Sequence, residues 1–104
     1  MSVILHANTD FDQVMVKHPK GFDVILVKVD GQVHGYVNRC PHLGISLDYG
    51  DGKCLSAPNE LFCAMHGAMF TADTGHCFSG PCEGDSLERL VVRIEDGKVV
   101  CDGG

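Results

Sequence analysis

Phe22-Asp23-Val24-Ile25-Leu26-Val27-Lys28-Val29, then Asp30-Gly31, then Gln32-Val33-His34-Gly35-Tyr36-Val37-Asn38 is the stretch that settles the fold class. Both runs are β-branched and apolar, and they flank a dipeptide that tolerates positive φ. A two-residue type I′ turn needs that conformation twice, so Asp-Gly between two such runs predicts a β-hairpin. The same device closes the chain, as Leu90-Val91-Val92-Arg93-Ile94-Glu95, Asp96-Gly97 and Lys98-Val99-Val100-Cys101. In its first arm Leu90, Val92 and Ile94 alternate with Val91, Arg93 and Glu95. That alternation predicts one core face and one mostly wet face.

Outward from these hairpins, Val3-Ile4-Leu5 reads as an opening strand. Asn8-Thr9-Asp10 reads as the cap of a helical turn over 11–15, and His18-Pro19-Lys20-Gly21 as a loop. In the glycine-rich middle, short strands are expected at 53–56, 60–63, 68–71 and 76–78. Turn signals separate them at Tyr49-Gly50-Asp51-Gly52, Ala57-Pro58-Asn59, Asp73-Thr74-Gly75 and Ser79-Gly80-Pro81. No 3.6-residue period runs long enough to build a helix layer. Many short strands with regular turns predict an all-β domain. Its base, an antiparallel sandwich or barrel-like sheet pair, is expected from about 1–38 and 81–104, with about 39–80 as a small inserted subdomain.

At 104 residues the chain is the size of one domain. Its net charge is −6, and its eight Lys and Arg are scattered. Nucleic-acid binders cluster such residues to neutralise phosphates, so that class is excluded. An acidic surface instead favours docking on basic protein patches. No apolar run approaches a transmembrane length. Met1-Ser2-Val3-Ile4-Leu5-His6 lacks the basic start and long apolar run of a signal peptide. A cytoplasmic monomer without membrane contact is the expectation. In a reducing compartment, six cysteines point to metal ligation and core thiols rather than disulfides.

Chemistry concentrates in two segments, Cys40-Pro41-His42-Leu43-Gly44 and Cys63-Ala64-Met65-His66-Gly67. Each offers one thiolate and one imidazole, and a glycine follows closely. Twenty residues, from 43 to 62, separate Cys40-x-His42 from Cys63-x-x-His66. A Cys2His2 set suits tetrahedral zinc, although zinc fingers usually pair Cys with Cys and His with His. It also suits a [2Fe-2S] cluster with two thiolates on one iron and two imidazoles on the other. One Cys and one His per loop fits the second occupant better, because each loop can then bridge both irons. Cys54, Cys77, Cys82 and Cys101 have no His at ligand spacing and read as core thiols, with a Cys54–Cys77 or Cys77–Cys82 disulfide as a minor alternative. His6, His18, His34 and His76 read as solvated or structural.

The two hooks resemble the cluster loops of Rieske-type ferredoxins. The resemblance extends through Leu47 and Gly50, Phe70 with Thr74-Gly75, Gly80-Pro81 and the final Asp-Gly hairpin, covering the chain from about Phe22 onward. It implies the Rieske iron–sulfur fold, with one [2Fe-2S] cluster held by Cys40, His42, Cys63 and His66. It further implies a one-electron carrier rather than an enzyme. Such a carrier takes electrons from a flavin-dependent NAD(P)H reductase and passes them to a terminal oxygenase. A small nitrite reductase subunit of the same fold is the alternative within the family, and a structural zinc interaction module the alternative outside it. Ala64 departs from the family's Cys-Pro-x-His pattern, which removes no ligand.

The same resemblance bears on the redox potential. Respiratory Rieske proteins add a cysteine to each loop, where Ile45 and Met65 stand here, and sulfur-directed hydroxyls where Ala68 and Phe70 stand. Fewer hydrogen bonds to sulfur leave the reduced state less stabilised. Two thiolates instead of four make the oxidised centre neutral, which keeps the potential above that of plant-type ferredoxins. The expected midpoint therefore lies near the low end of the Rieske range, about −150 mV. The outer nitrogens of His42 and His66 should gain proton affinity on reduction, so the midpoint should fall at alkaline pH. Asp10-Phe11-Asp12 and Glu83-Gly84-Asp85 read as solvated turns, and Leu43, Met65 and Met69 as an apolar collar beside the ligands.

Overall fold

The computed structural model describes residues 2–39, 54–57, 59–63, 67–80 and 83–102. Eleven strands fall into three antiparallel sheets among the described residues. The first sheet holds β1 (Ser2–His6), β11 (Lys98–Asp102) and β10 (Val92–Glu95), in that order. The second holds β2 (Gln13–Lys17), β3 (Asp23–Val29), β4 (Gln32–Val37) and β9 (Arg89–Leu90). The third is a meander of β5 (Leu55–Ala57), β6 (Glu60–Phe62), β7 (Met69–Thr71) and β8 (Cys77–Ser79).

β3 is the strand on which the layers meet. Its apolar run is unbroken because both of its faces are covered. Val24 and Leu26 pack with Leu5, Val99 and Cys101 of the first sheet. Ile25 and Val27 join Tyr36 against Leu61, Phe70 and Cys77 of the third. In that third sheet Leu55, Leu61, Phe70 and Cys77 lie opposite one another across four strands, so one row of side chains faces β3. Both hairpin turns have the backbone that Asp-Gly dictates: φ is 51° and 79° at Asp30 and Gly31, and 52° and 73° at Asp96 and Gly97.

The expected helical turn at 11–15 is a strand instead. β2 pairs with β3 from Gln13 opposite Val27 to Lys17 opposite Asp23. Asn8 does hold the Asp10 N–H at 3.0 Å, but as a local turn with no helix after it. Val14 and Val16 then pack on the first core and Met15 on the second. This two-residue alternation of β-branched side chains outweighs the capping signal.

The expected strand over 90–95 is divided between two sheets. Leu90 belongs to β9 beside β4, whereas Val92 begins the run beside β11, and Val91 between them is 78% exposed. Leu90 and Val92 reach the core, but Ile94, expected there, is 49% exposed. In the middle third, the strand expected to start at His76 begins at Cys77, with His76 in an isolated bridge to Ser86.

Candidate functional site

In sequence, β4 ends three residues before Cys40, and β6 and β7 flank the second hook. Cys40, His42 and His66 lie outside the described residues, as do Ile45, Met65 and Cys82. Cys63 is described and fully buried. Its N–H donates to the Ala68 carbonyl at 2.8 Å, and the Gly67 N–H donates back to the Cys63 carbonyl at 2.8 Å. These two bonds close the 63–68 connection at its base, and Gly67 (φ 70°) supplies the left-handed residue that the closure uses. Cys63 thus directly follows the three-residue strand β6, with its backbone tied to Gly67 and Ala68.

A second segment braces that loop from outside. Gly80 follows β8 with φ 102°, and a Cβ built there would lie 2.7 Å from the Ala68 Cα. Glu83 then turns back to the Gly80 carbonyl. Residues 84–87 run along β8 through Gly84 N–H to Cys77 O, Cys77 N–H to Asp85 O and Leu87 N–H to Gly75 O. The Glu88 carbonyl finally accepts the Val37 N–H at 2.9 Å, returning the chain to β4 two residues before Arg39.

Cys54, Cys77 and Cys101 are buried, as expected of core thiols, and the Cys77 Sγ donates to the Ser79 carbonyl at 3.3 Å. Ala68 and Phe70 are fully buried beside Cys63 in the same core. A methyl and a phenyl ring therefore stand where the resemblance implies hydroxyls in the high-potential class. Of the expected collar, Met69 is half-buried on β7, and Leu43 and Met65 lie outside the described residues. Asp10, Asp12, Glu83 and Asp85 are exposed, whereas Phe11 is partly buried and packs on the first core.

His18 is structural: it is buried, stacks on Phe22 at 4.4 Å and accepts the Lys20 N–H at Nδ1. His34 is half-buried, and Arg89 lies 3.2 Å from its Nδ1. Burial first, then the Arg89 charge, holds the His34 pKa below its ordinary 6.5, with Asp73 opposing. Neutral His34 therefore contributes stability that is complete above pH 6.5 and lost as pH falls through the depressed folded value. Denaturation midpoints should decline on acidification below that pH. In His34→Gln this part of the decline should be smaller, and identical pH profiles would contradict the assignment.

Sequence reading missed Tyr36 as a linking residue. Its ring is fully buried, and its hydroxyl donates to the Ala72 carbonyl at 2.8 Å. Burial, above all, pushes its pKa up to about 12, with Arg89 lowering and Asp73 raising it. The only sequence signal was an aromatic residue within an alternating strand, which names no partner.

Residues 5–89 match the family model for the Rieske [2Fe-2S] domain, and the chain belongs to that family. Its cofactor is accordingly a [2Fe-2S] cluster, which removes the ground for reading the donor set as zinc. The chain is similar to apoptosis-inducing factor 3 of Mus musculus, 37% identical over 76 residues, which are 73% of this chain and 12% of that protein. It is also similar to the ferredoxin component of the alkene monooxygenase system of Xanthobacter autotrophicus, 30% identical over 80 residues. That match covers 75% of this chain and 60% of the relative. Among solved structures, a Sphingomonas yanoikuyae B1 ferredoxin superposes with a TM-score of 0.74 and 29% identity, over 98% of both chains.

Of the expected ligands the structure describes Cys63, and a thiolate is a donor that such a group takes. Its thiol is buried, its backbone is bonded to Gly67 and Ala68, and Gly80 lies against the Ala68 backbone.

Proposed function

We propose that the protein is a one-electron carrier whose [2Fe-2S] cluster is held by Cys40, His42, Cys63 and His66. The third sheet and its loops, about 39–80, would form the cluster-binding subdomain on a base of about 1–38 and 81–104. When bound, the cluster supplies a single-electron couple. The chain's own residues would position it: in sequence Cys40 and His42 follow β4, and Cys63 and His66 lie between β6 and β7. The electron donor is an NAD(P)H-dependent flavin reductase and the acceptor a terminal oxygenase. The carrier acts as a monomer in the cytoplasm, with no catalytic residue of its own.

The observation that carries this reading is the end-to-end likeness to a ferredoxin, over 98% of both chains. The acidic balance of −6 supports docking on basic protein surfaces. Buried Ala68 and Phe70 support a low potential, since neither side chain can donate to a sulfur.

An anaerobic redox titration of the reconstituted protein tests the reading. One electron per chain should be taken up, with a midpoint near the low end of the Rieske range, about −150 mV. The reduced protein should then be reoxidised by an oxygenase component. A clearly positive midpoint would remove the low-potential assignment, and failure to accept a single electron would remove the carrier role.

A further inference from the structure

We propose that Tyr36 is a positioning residue for the cluster, fixing the spacing between the two ligand loops. The inference rests on the assignment of Cys40, His42, Cys63 and His66 to those loops. Cys40 follows β4 in the second sheet, whereas Cys63 follows β6 in the third. Among the described residues, no strand of one sheet pairs with a strand of the other. These sheets are joined by apolar packing of Ile25 and Val27 against Leu61, Phe70 and Ala72, and by residues 84–88, whose backbone bonds reach Gly75 on one side and Val37 on the other. Apolar contacts are non-directional, so they resist separation better than sliding.

Tyr36 adds direction. It lies four positions before Cys40, and its hydroxyl donates 2.8 Å to the Ala72 carbonyl in the turn that follows β7. Its ring bears on the same turn from the side, because a Cβ at Gly75 would lie 2.7 Å from the Tyr36 Cε1. β7 has three residues, and at its other end Ala68 closes the Cys63 loop. A shift at Ala72 is therefore carried along one short, hydrogen-bonded strand to the second ligand loop. Another polar tether between these sheets is the Cys54 N–H to Gln13 Oε1 at 3.2 Å. It holds β5, which flanks β6 on the side away from β7. The high pKa of the phenol keeps the donor proton in place at every working pH.

Tyr36→Phe keeps the ring but leaves the buried Ala72 carbonyl without its donor. That penalty corresponds to about tenfold or more in a local opening equilibrium. The reconstituted variant should lose its visible absorbance to an iron chelator about tenfold faster or more than the wild type, and its midpoint potential should shift. Leu5→Ala is the control, because Leu5 lies in the other core, with Val99 and Cys101. It should lower the unfolding midpoint while leaving potential and chelation rate at the wild-type values. Gly75→Ala, which crowds the ring while leaving the hydroxyl in place, should act in the same direction as Tyr36→Phe.

Wild-type potential and chelation rate in Tyr36→Phe would overturn the proposal. So would equal acceleration in Leu5→Ala at equal loss of stability, since that would make the effect a general one. A wild-type protein that takes up no cluster would instead overturn the carrier reading, and this inference with it.

Discussion

Cys63→Ala should yield a colourless protein after reconstitution, while Cys54→Ala, Cys77→Ala and Cys101→Ala should remain coloured. All four thiols are buried, so burial does not distinguish them. Position does. Cys54, Cys77 and Cys101 pack in the cores, and removing each sulfur costs about 1 kcal/mol of packing. Cys63 sits at the base of the connection closed by its own N–H to Ala68 and by Gly67 to its carbonyl. Removing a ligand should weaken cluster binding by more than the roughly 10- to 100-fold typical of losing an outer hydrogen-bond partner. The variant should also unfold at lower denaturant than the loaded wild type, because a cofactor bound only to the folded state stabilises it. Visible absorbance and iron content per chain provide the readout. Full cluster content in Cys63→Ala would remove this residue from the ligand set.

The second large effect is expected at Gly80. Alanine there takes on a left-handed backbone at φ 102° and places its Cβ 2.7 Å from the Ala68 Cα. The obstructing atom is backbone, held by the Cys63–Ala68 bond, so it cannot swing aside as a side-chain tip could. Backbone strain of about 1–2 kcal/mol and overpacking of about 1–3 kcal/mol give a loss of roughly 2–5 kcal/mol in chemical denaturation. Gly84→Ala is the matched control. Its φ is 97° but its Cβ meets nothing within 4 Å, so it should show the strain component alone. Equal losses at the two positions would mean that Gly80 does not brace the second loop.

Local chemistry explains which parts of the fold could be read in advance. The two Asp-Gly hairpins were legible because a two-residue turn with positive φ at both positions has few sequence solutions. The short strands of the middle third were legible from the turn residues between them. β2 was misjudged because Asn8 does form the side-chain turn of a helix cap, and only pairing with β3 makes residues 13–17 a strand. Ile94 was placed inside because alternation marks two faces but cannot show where a strand leaves one sheet for another. That crossing happens at Val91, and it is a tertiary fact.

The candidate site divides in the same way. The four proposed ligands, Cys40, His42, Cys63 and His66, could be singled out from spacing and a following glycine, because ligand chemistry limits which side chains can serve. The supports around them are less visible. Tyr36 and Ala72 are 36 positions apart, and one partner is a backbone carbonyl that any residue would provide. Gly80 was visible as a turn residue, but its approach to Ala68 depends on how β8 returns beside β7.

The most direct test of the central claim is an EPR spectrum of the chemically reduced, reconstituted protein, with iron, sulfide and zinc measured per chain. The account predicts a brown protein with two irons and two sulfides per cluster. Its reduced form should give a rhombic signal whose average g lies below the free-electron value, as mixed thiolate and imidazole ligation requires. A colourless, EPR-silent protein containing stoichiometric zinc would contradict it.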